Sequence, residues 1–513
     1  MQRAAVLTAI FLAHGGILPV YAAASDSVQV DSGAVSGFTG QEPEMRIFKG
    51  IPFAAPPVGN LRWRAPQPVA HWDGVRKADQ FSPVCMQNAP NAAASKPSED
   101  CLYLNVWTSA KSASEKRPVM VWIYGGGFTS GSASVPNYDG EHLAAKGAVV
   151  VTFNYRLGAF GFFAHPELTK ESDRRGAANF GMLDAIAVLE WVQKNIAAFG
   201  GDPKRVTIFG ESAGSGMVAD LMASPQAKGL FHRAIGESSA WGISTTARTN
   251  TLTNAEQAGV KLAETLGVKS LAELRAQPAD AILKNGRGTG PVVDGWLIPE
   301  DVGTVFAEGK ENAVPVLVGS NLDEGTFFLQ PTTAEKFVAE SRAKYGDLAD
   351  EFLKLYPASS DEQANASALM DFRDQMAWVM RNWAHLEART GKTKAYMYYF
   401  THQPPAAPGA KAGGRGRGAT HTAEIPYVFE NQGNRPWTDV DRQIADQMSS
   451  YWVNFAANGD PNGKGLPKWP AFDERKSPNP MVFGDNASVG PALNSAQIAF
   501  YQKVYDSQRE TAR

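Results

Sequence analysis

The chain has 513 residues, 43% of them hydrophobic and 20% charged, the balance of a globular protein with a large core and not of a disordered chain. Its formal net charge of −3 offers no positive field to hold a polyanion, so nucleic acid is excluded as an expected partner.

The elements begin with an export signal. Arg3 precedes an apolar run at 4–12, and the small residues Ala22, Ala23 and Ala24 come before the first acidic residue, Asp26. That order reads as a secretory signal peptide over residues 1–24, cleaved near Ala22 to Ala24, which sends residues 25–513 to a secreted or periplasmic location. The run is too short for a stable membrane anchor, since a span takes about 20 apolar residues. Cys85 and Cys101, the only cysteines, flank a short polar stretch. In an oxidising compartment they are expected to form one disulfide, worth ~3 kcal/mol in the chain-entropy model. Without a nearby histidine pair they cannot complete a zinc set, and no metal is expected.

Short apolar runs rich in Val, Ile and aromatics at 119–124, 149–153, 206–209, 314–318 and 395–400 read as strands buried on both faces. Between them, apolar residues from Met182 to Phe199 recur at three- and four-residue spacing. This predicts a helix over 179–199, stopped by Gly200, Gly201 and Pro203. The alternation implies an α/β fold: one catalytic domain with a central, mostly parallel sheet flanked by helices. Helical insertions at about 245–290 and 333–390 are expected over the ligand-binding end of the sheet. The segment 404–418, PPAAPGAKAGGRGRG, cannot pack and is expected to be a mobile loop.

Gly210-Glu211-Ser212-Ala213-Gly214 follows the 206–209 strand and precedes a helix-compatible stretch. A serine at such a turn is exposed at the sheet edge, at a helix N-terminus that favours a developing oxyanion. Gly125-Gly126-Gly127 follows the strand ending at Tyr124. A glycine triplet there can aim main-chain N–H groups at a carbonyl oxygen, as in esterases and lipases. In the α/β-hydrolase order the acid and then the base follow the serine. His232 lies too close behind Ser212 to leave room for an acid-bearing strand, and His385 sits in a helical pattern. His402 and His421 remain at the ends of the Pro/Gly-rich segment, and loop logic favours His421. Asp323 and Glu324, on the loop after the 314–318 strand, are both candidates for the acid; spacing does not choose between them.

Several long segments together resemble the type-B carboxylesterases, the family that includes the cholinesterases: RIFKGIPFAAPPVGNLRW from Arg46, SEDCLYLNV from Ser98, PVMVWIYGGGF from Pro118, VVVTFNYRLGAFGF from Val149, GGDPKRVTIFGESAGS from Gly200, NLDEGTFF from Asn321 and GATHTAEIPYVF from Gly418. The resemblance implies an α/β-hydrolase fold with Ser212 as nucleophile, Glu324 as acid and His421 as base. Gly126, Gly127 and Ala213 then match the oxyanion donors, Glu211 and Ser238 the supporting residues, and Cys85 and Cys101 the first disulfide. It departs from the family in three places. The loop between the cysteines has no Trp, which argues against a choline cation as substrate. Ala185 and Glu237 stand where glutamine is common.

The expected function is serine ester hydrolysis through an acyl-enzyme, on small or medium-sized esters, with no cofactor. The alternatives are amide or carbamate hydrolysis by the same triad, or a non-catalytic binding module. Phe128, Trp241, Phe327 and Phe328 are candidate pocket walls, and nothing in the sequence reads on oligomeric state.

Overall fold

The computed structural model describes residues 27–42, 44–88, 96–172, 178–239, 249–406, 408–409 and 418–510. The expected signal peptide, Trp241 and most of the 404–418 loop lie outside them. Among the described residues, no helix is long and apolar enough to cross a membrane.

One large sheet organises the chain. Its strands, numbered in chain order, are β1 Phe38–Thr39, β2 Arg46–Pro52, β3 Tyr103–Thr108, β4 Arg117–Ile123, β5 Val149–Phe153, β6 Gly201–Glu211, β7 Arg233–Glu237, β8 Val316–Asn321, β9 Ala395–Phe400, β10 Met481–Phe483 and β11 Ala487–Val489. In space they run β11-β10-β9-β8-β7-β6-β4-β5-β3-β2-β1. From β5 to β10 every neighbouring pair is parallel, whereas both flanks are antiparallel. All residues of β5, β8 and β9 are buried, as strands covered on both faces must be.

Register decides where the chemistry goes. Ile123 pairs with Gly210, Glu211 with Glu237, Glu237 with Gly319, and Asn321 with Phe400. The C-terminal ends of β4, β6, β7 and β8 therefore stop at one edge. The residues just beyond them, Gly125 to Gly127, Ser212, Ser238 and Glu324, are gathered there by the hydrogen-bond ladder itself.

Helices Phe180–Asn195, Ala213–Ala223, Asp361–Arg389 and Asp439–Asn458 pack on the sheet. Thr438 and Asp441 form a reciprocal capping box at the start of the last one, which satisfies two of its free N–H groups. The helix expected over 179–199 is α-helical to Asn195 and tightens to a 3-10 turn over Ile196–Phe199, and Gly200 caps it with φ 83°. Pro203 does not end the helix but lies inside β6. In the first insertion are helices Leu252–Thr265, Leu271–Arg275 and Ala279–Asn285; in the second, Ala334–Tyr345, Ala349–Leu355 and Asp361–Arg389. Cys85 and Cys101 are disulfide-bonded.

Candidate active site

Ser212 sits between the end of β6 and helix Ala213–Ala223, with φ 56° and ψ −125°. A non-glycine residue held there carries strain of about 1–3 kcal/mol, which the surroundings must over-determine. Its N–H donates to the Glu237 carbonyl at 2.9 Å, and its carbonyl accepts from Gly216 N–H at 2.9 Å. The flanking glycines let the turn lie against β4. A Cβ on Gly214 would stand 1.9 Å from the Ile123 carbonyl oxygen, and one on Gly210 2.5 Å from the same atom. Ser212 remains partly exposed while its two neighbours are buried.

The glycine triplet lies beside this turn: a Cβ on Gly125 would be 2.9 Å from both the Ser212 Cβ and Glu211 Oε2. Gly126 has φ 103°, and a side chain there would strike the Ser130 carbonyl at 2.2 Å. Thr129 N–H and Ser130 N–H both donate to the Gly126 carbonyl at 3.1 Å. Because the peptide is planar, holding that carbonyl fixes the opposite direction of the Gly127 N–H. Gly126 and Gly127 are exposed, and Ala213 is buried at the first turn of its helix.

His421 is 4% exposed. Its Nδ1 lies 2.6 Å from Glu324 Oε2, and the other Glu324 oxygen accepts Asn321 N–H at 2.9 Å. Asp323, the rival acid, faces away from the imidazole. It accepts Ala419 N–H at 2.8 Å and donates its own N–H to the Ala419 carbonyl at 2.8 Å, which pins the histidine loop to the end of β8. The other histidine considered, His402, is buried with Nε2 2.9 Å from Asp441 and Nδ1 3.1 Å from Asp485, away from Ser212's turn. His232 accepts Val206 N–H, and His385 faces Glu474.

The second nitrogen of His421, Nε2, lies 3.0 Å from Glu211 Oε1, yet neither atom is aligned for a hydrogen bond. Nε2 therefore keeps capacity for a hydrogen bond, beside the carboxylate of the residue that precedes Ser212. Three buried carboxyl groups, of Glu211, Glu324 and Glu424, act on this one imidazole, and a fourth, of Glu237, is buried among them against Glu424 and Glu211. Among the described residues none of them is paired with a lysine or arginine. Burial works against a charged imidazole, but the attraction of Glu211 and Glu324 prevails and pushes His421 up to about 10. Burial in turn pushes Glu211 to about 8 against the pull of His421, with repulsion from Glu424 and Glu324 adding to it. The two shifts share one proton: an uncharged Glu211 removes the largest attraction that keeps His421 protonated.

Of the other members of this cluster, the sequence marks Glu237 only as a departure from the family and gives no sign of Glu424. Glu424 accepts from the Asn321 side chain and is raised to about 7 by burial. It stands three residues after His421, but only the fold shows that it turns inward. Glu237 accepts Trp452 Nε1–H at 2.7 Å, its other oxygen is buried without a partner, and burial and Glu424 hold its carboxyl well above the usual range. Ser238, at φ 55°, donates its N–H to the Gly319 carbonyl at 2.8 Å, and its hydroxyl is buried and unpartnered.

The candidate pocket walls separate. Phe128 is buried at 2% exposure with its ring against Phe162. Phe327 and Phe328 are 52% and 43% exposed and flank the imidazole, with ring centroids 6.1 and 4.7 Å from it. Trp241 lies outside the described residues.

Comparison with known proteins agrees with this geometry. The model of the carboxylesterase family matches residues 24–501. The chain is 38% identical to a fumonisin B1 esterase of Sphingopyxis macrogoltabida, over 96% of this chain and 93% of that one. It is 36% identical to a para-nitrobenzyl esterase of Bacillus subtilis, over 94% and 99%. A solved PNB esterase structure superposes with a TM-score of 0.80 at 32% identity, covering 93% of this chain and 99% of that chain. With its fold, its strand-end serine and its buried histidine–glutamate pair accounted for, the chain belongs to the carboxylesterase family and is a hydrolase of carboxylic esters.

Proposed function

We propose that the protein is an exported serine esterase that cleaves small or medium-sized esters through an acyl-enzyme. Ser212 attacks the ester carbonyl while His421 takes its proton at Nε2, and Glu324 holds the imidazole through Nδ1. The oxyanion is held by the N–H groups of Gly126, Gly127 and Ala213; one such donor contributes about 3–4 kcal/mol to the transition state. His421 then protonates the leaving alcohol and later activates water. Glu211 and Ser238 support this group from behind.

The observation that carries the reading is the 2.6 Å contact of Glu324 with His421 Nδ1, because it sets the tautomer that leaves Nε2 free to accept a proton. Export is supported by the signal-like N-terminus and by the Cys85–Cys101 disulfide, a bond that persists in oxidising compartments.

Replacing Ser212 with Ala tests the assignment. The variant is expected to fold as the parent does and to lose several orders of magnitude in turnover of p-nitrophenyl acetate. Retained cleavage, or an organophosphate adduct on a different serine, refutes it.

A further inference from the structure

Beside the proposed catalytic group lies a cleft of about 450 Å³ between helices Ala334–Tyr345 and Asp361–Arg389. Its size is that of a small-molecule subsite. It is reached from the imidazole across two ring contacts: Phe328 stands edge-on to His421 at 4.7 Å and stacks on Phe372 at 5.3 Å, and Phe372 lines the cleft. The exposed rings of Phe327 and Phe328 and the exposed Leu369 form an apolar approach to it.

The walls of the cleft are of two kinds. Leu329, Phe337, Phe352 and Phe372 give its lining an apolar part. Lys336, Glu340, Lys344, Asp371 and Gln375 also line it. Its charges are matched: Lys336 faces Glu340 at 3.8 Å, and Lys344 faces Asp371 at 3.9 Å while donating to Gln375 at 3.2 Å. A lining of balanced charge gives no net attraction to an ion, but it offers donors and acceptors to a neutral polar group.

The chemistry fixes which arm of the substrate points this way. A base that protonates the leaving oxygen must lie on the alcohol side of the ester, and this cleft lies on the His421 side. We propose that it is a subsite for the alcohol arm of the substrate, taking a long apolar chain that ends in a neutral hydrogen-bonding group such as a hydroxyl. This rests on ester cleavage occurring beside His421.

The test follows acetate release from p-nitrophenyl acetate, dodecyl acetate, ω-hydroxydodecyl acetate and its ω-carboxy and ω-trimethylammonio analogues. In the parent enzyme ω-hydroxydodecyl acetate should have the highest kcat/KM of the dodecyl series. Ala368→Trp, which fills the cleft from one wall, should reduce that value at least tenfold through KM and leave p-nitrophenyl acetate within twofold. Gln375→Leu should narrow the preference for the hydroxylated chain over the plain one. Equal losses on the short and long substrates, no loss on either, or a charged chain preferred tenfold over the hydroxylated one overturns the proposal. So does a loss confined to p-nitrophenyl laurate, assayed alongside by p-nitrophenol release, which would put the acyl chain in the cleft. Failure of the parent to cleave p-nitrophenyl acetate at all would instead overturn the esterase reading beneath it.

Discussion

Asp323 and Glu324, neighbours in sequence, grip the same loop at two different points: Asp323 takes the Ala419 N–H at 2.8 Å, and Glu324 takes the His421 ring at 2.6 Å. One carboxylate places the histidine and the other orients it. Asp323→Ala should therefore lower kcat about tenfold, the worth of one charge-assisted hydrogen bond, and Asp323→Asn should restore most of it through its remaining acceptor oxygen. Glu324→Gln should cost on the order of ten-thousand-fold, because the ring tautomer is no longer set. Steady-state kinetics of the three variants check the ranking.

The Glu211–His421 pair should govern the pH profile. Protonated His421 cannot act as a base, and Glu211 is the strongest of the charges that hold it protonated. Activity should rise with pH as the pair gives up its shared proton. Glu211→Gln removes that attraction and should move the acid limb of kcat/KM to lower pH. An acid limb that stays in place or moves upward contradicts the coupling.

Glu237 should make the fold sensitive to alkali. Its carboxyl is held well above the ordinary value, so above the ordinary carboxyl value of 4.5 the folded state binds more protons than the unfolded one, and stability falls as pH rises. Glu237→Gln keeps an acceptor for Trp452 Nε1–H and should lose less stability between mildly acidic and alkaline pH than the parent. Urea midpoints across that range read the difference.

Replacing Cys85 and Cys101 with Ser frees a loop closed at a sequence separation of 16. By the chain-entropy model this costs ~3 kcal/mol. The urea midpoint should fall under oxidising conditions, and a reductant should bring the parent down to the same value.

The central strands were legible because burial on both faces leaves continuous apolar runs, as in Val149–Phe153 and Ala395–Phe400. Strand β7, Arg233–Glu237, was missed: RAIGE carries a charge at each end and a glycine inside. Its ends are charged because Arg233 is half-buried at the rim and Glu237 is buried against Glu424 and Glu211. In the antiparallel flanks, the short strands Phe38–Thr39, Met481–Phe483 and Ala487–Val489 leave no period to read, while Arg46–Pro52 and Tyr103–Thr108 are long enough to show one and were passed over.

In the site, Ser212 was legible from the strand before it and the helix after it. Loop logic leaned to His421 over His402, but Glu324 needed the likeness to a family, because the fact that separates it from Asp323 is the direction of a side chain. Glu424 carried no signal by itself. A carboxylate that would be solvated in an isolated segment becomes a buried neighbour of the imidazole only after β8 and the His421 loop close on each other.

The approach of Gly214 to the Ile123 carbonyl, with no space for even one methyl group, ties the hydroxyl-bearing turn to the strand that carries the glycine triplet. Neither piece can yield to an oversized guest without dragging the other along. Adaptation to different esters must then come from the half-solvated rings of Phe327 and Phe328 beside His421, so evolution toward new substrates should first be sought there and not at the elbow.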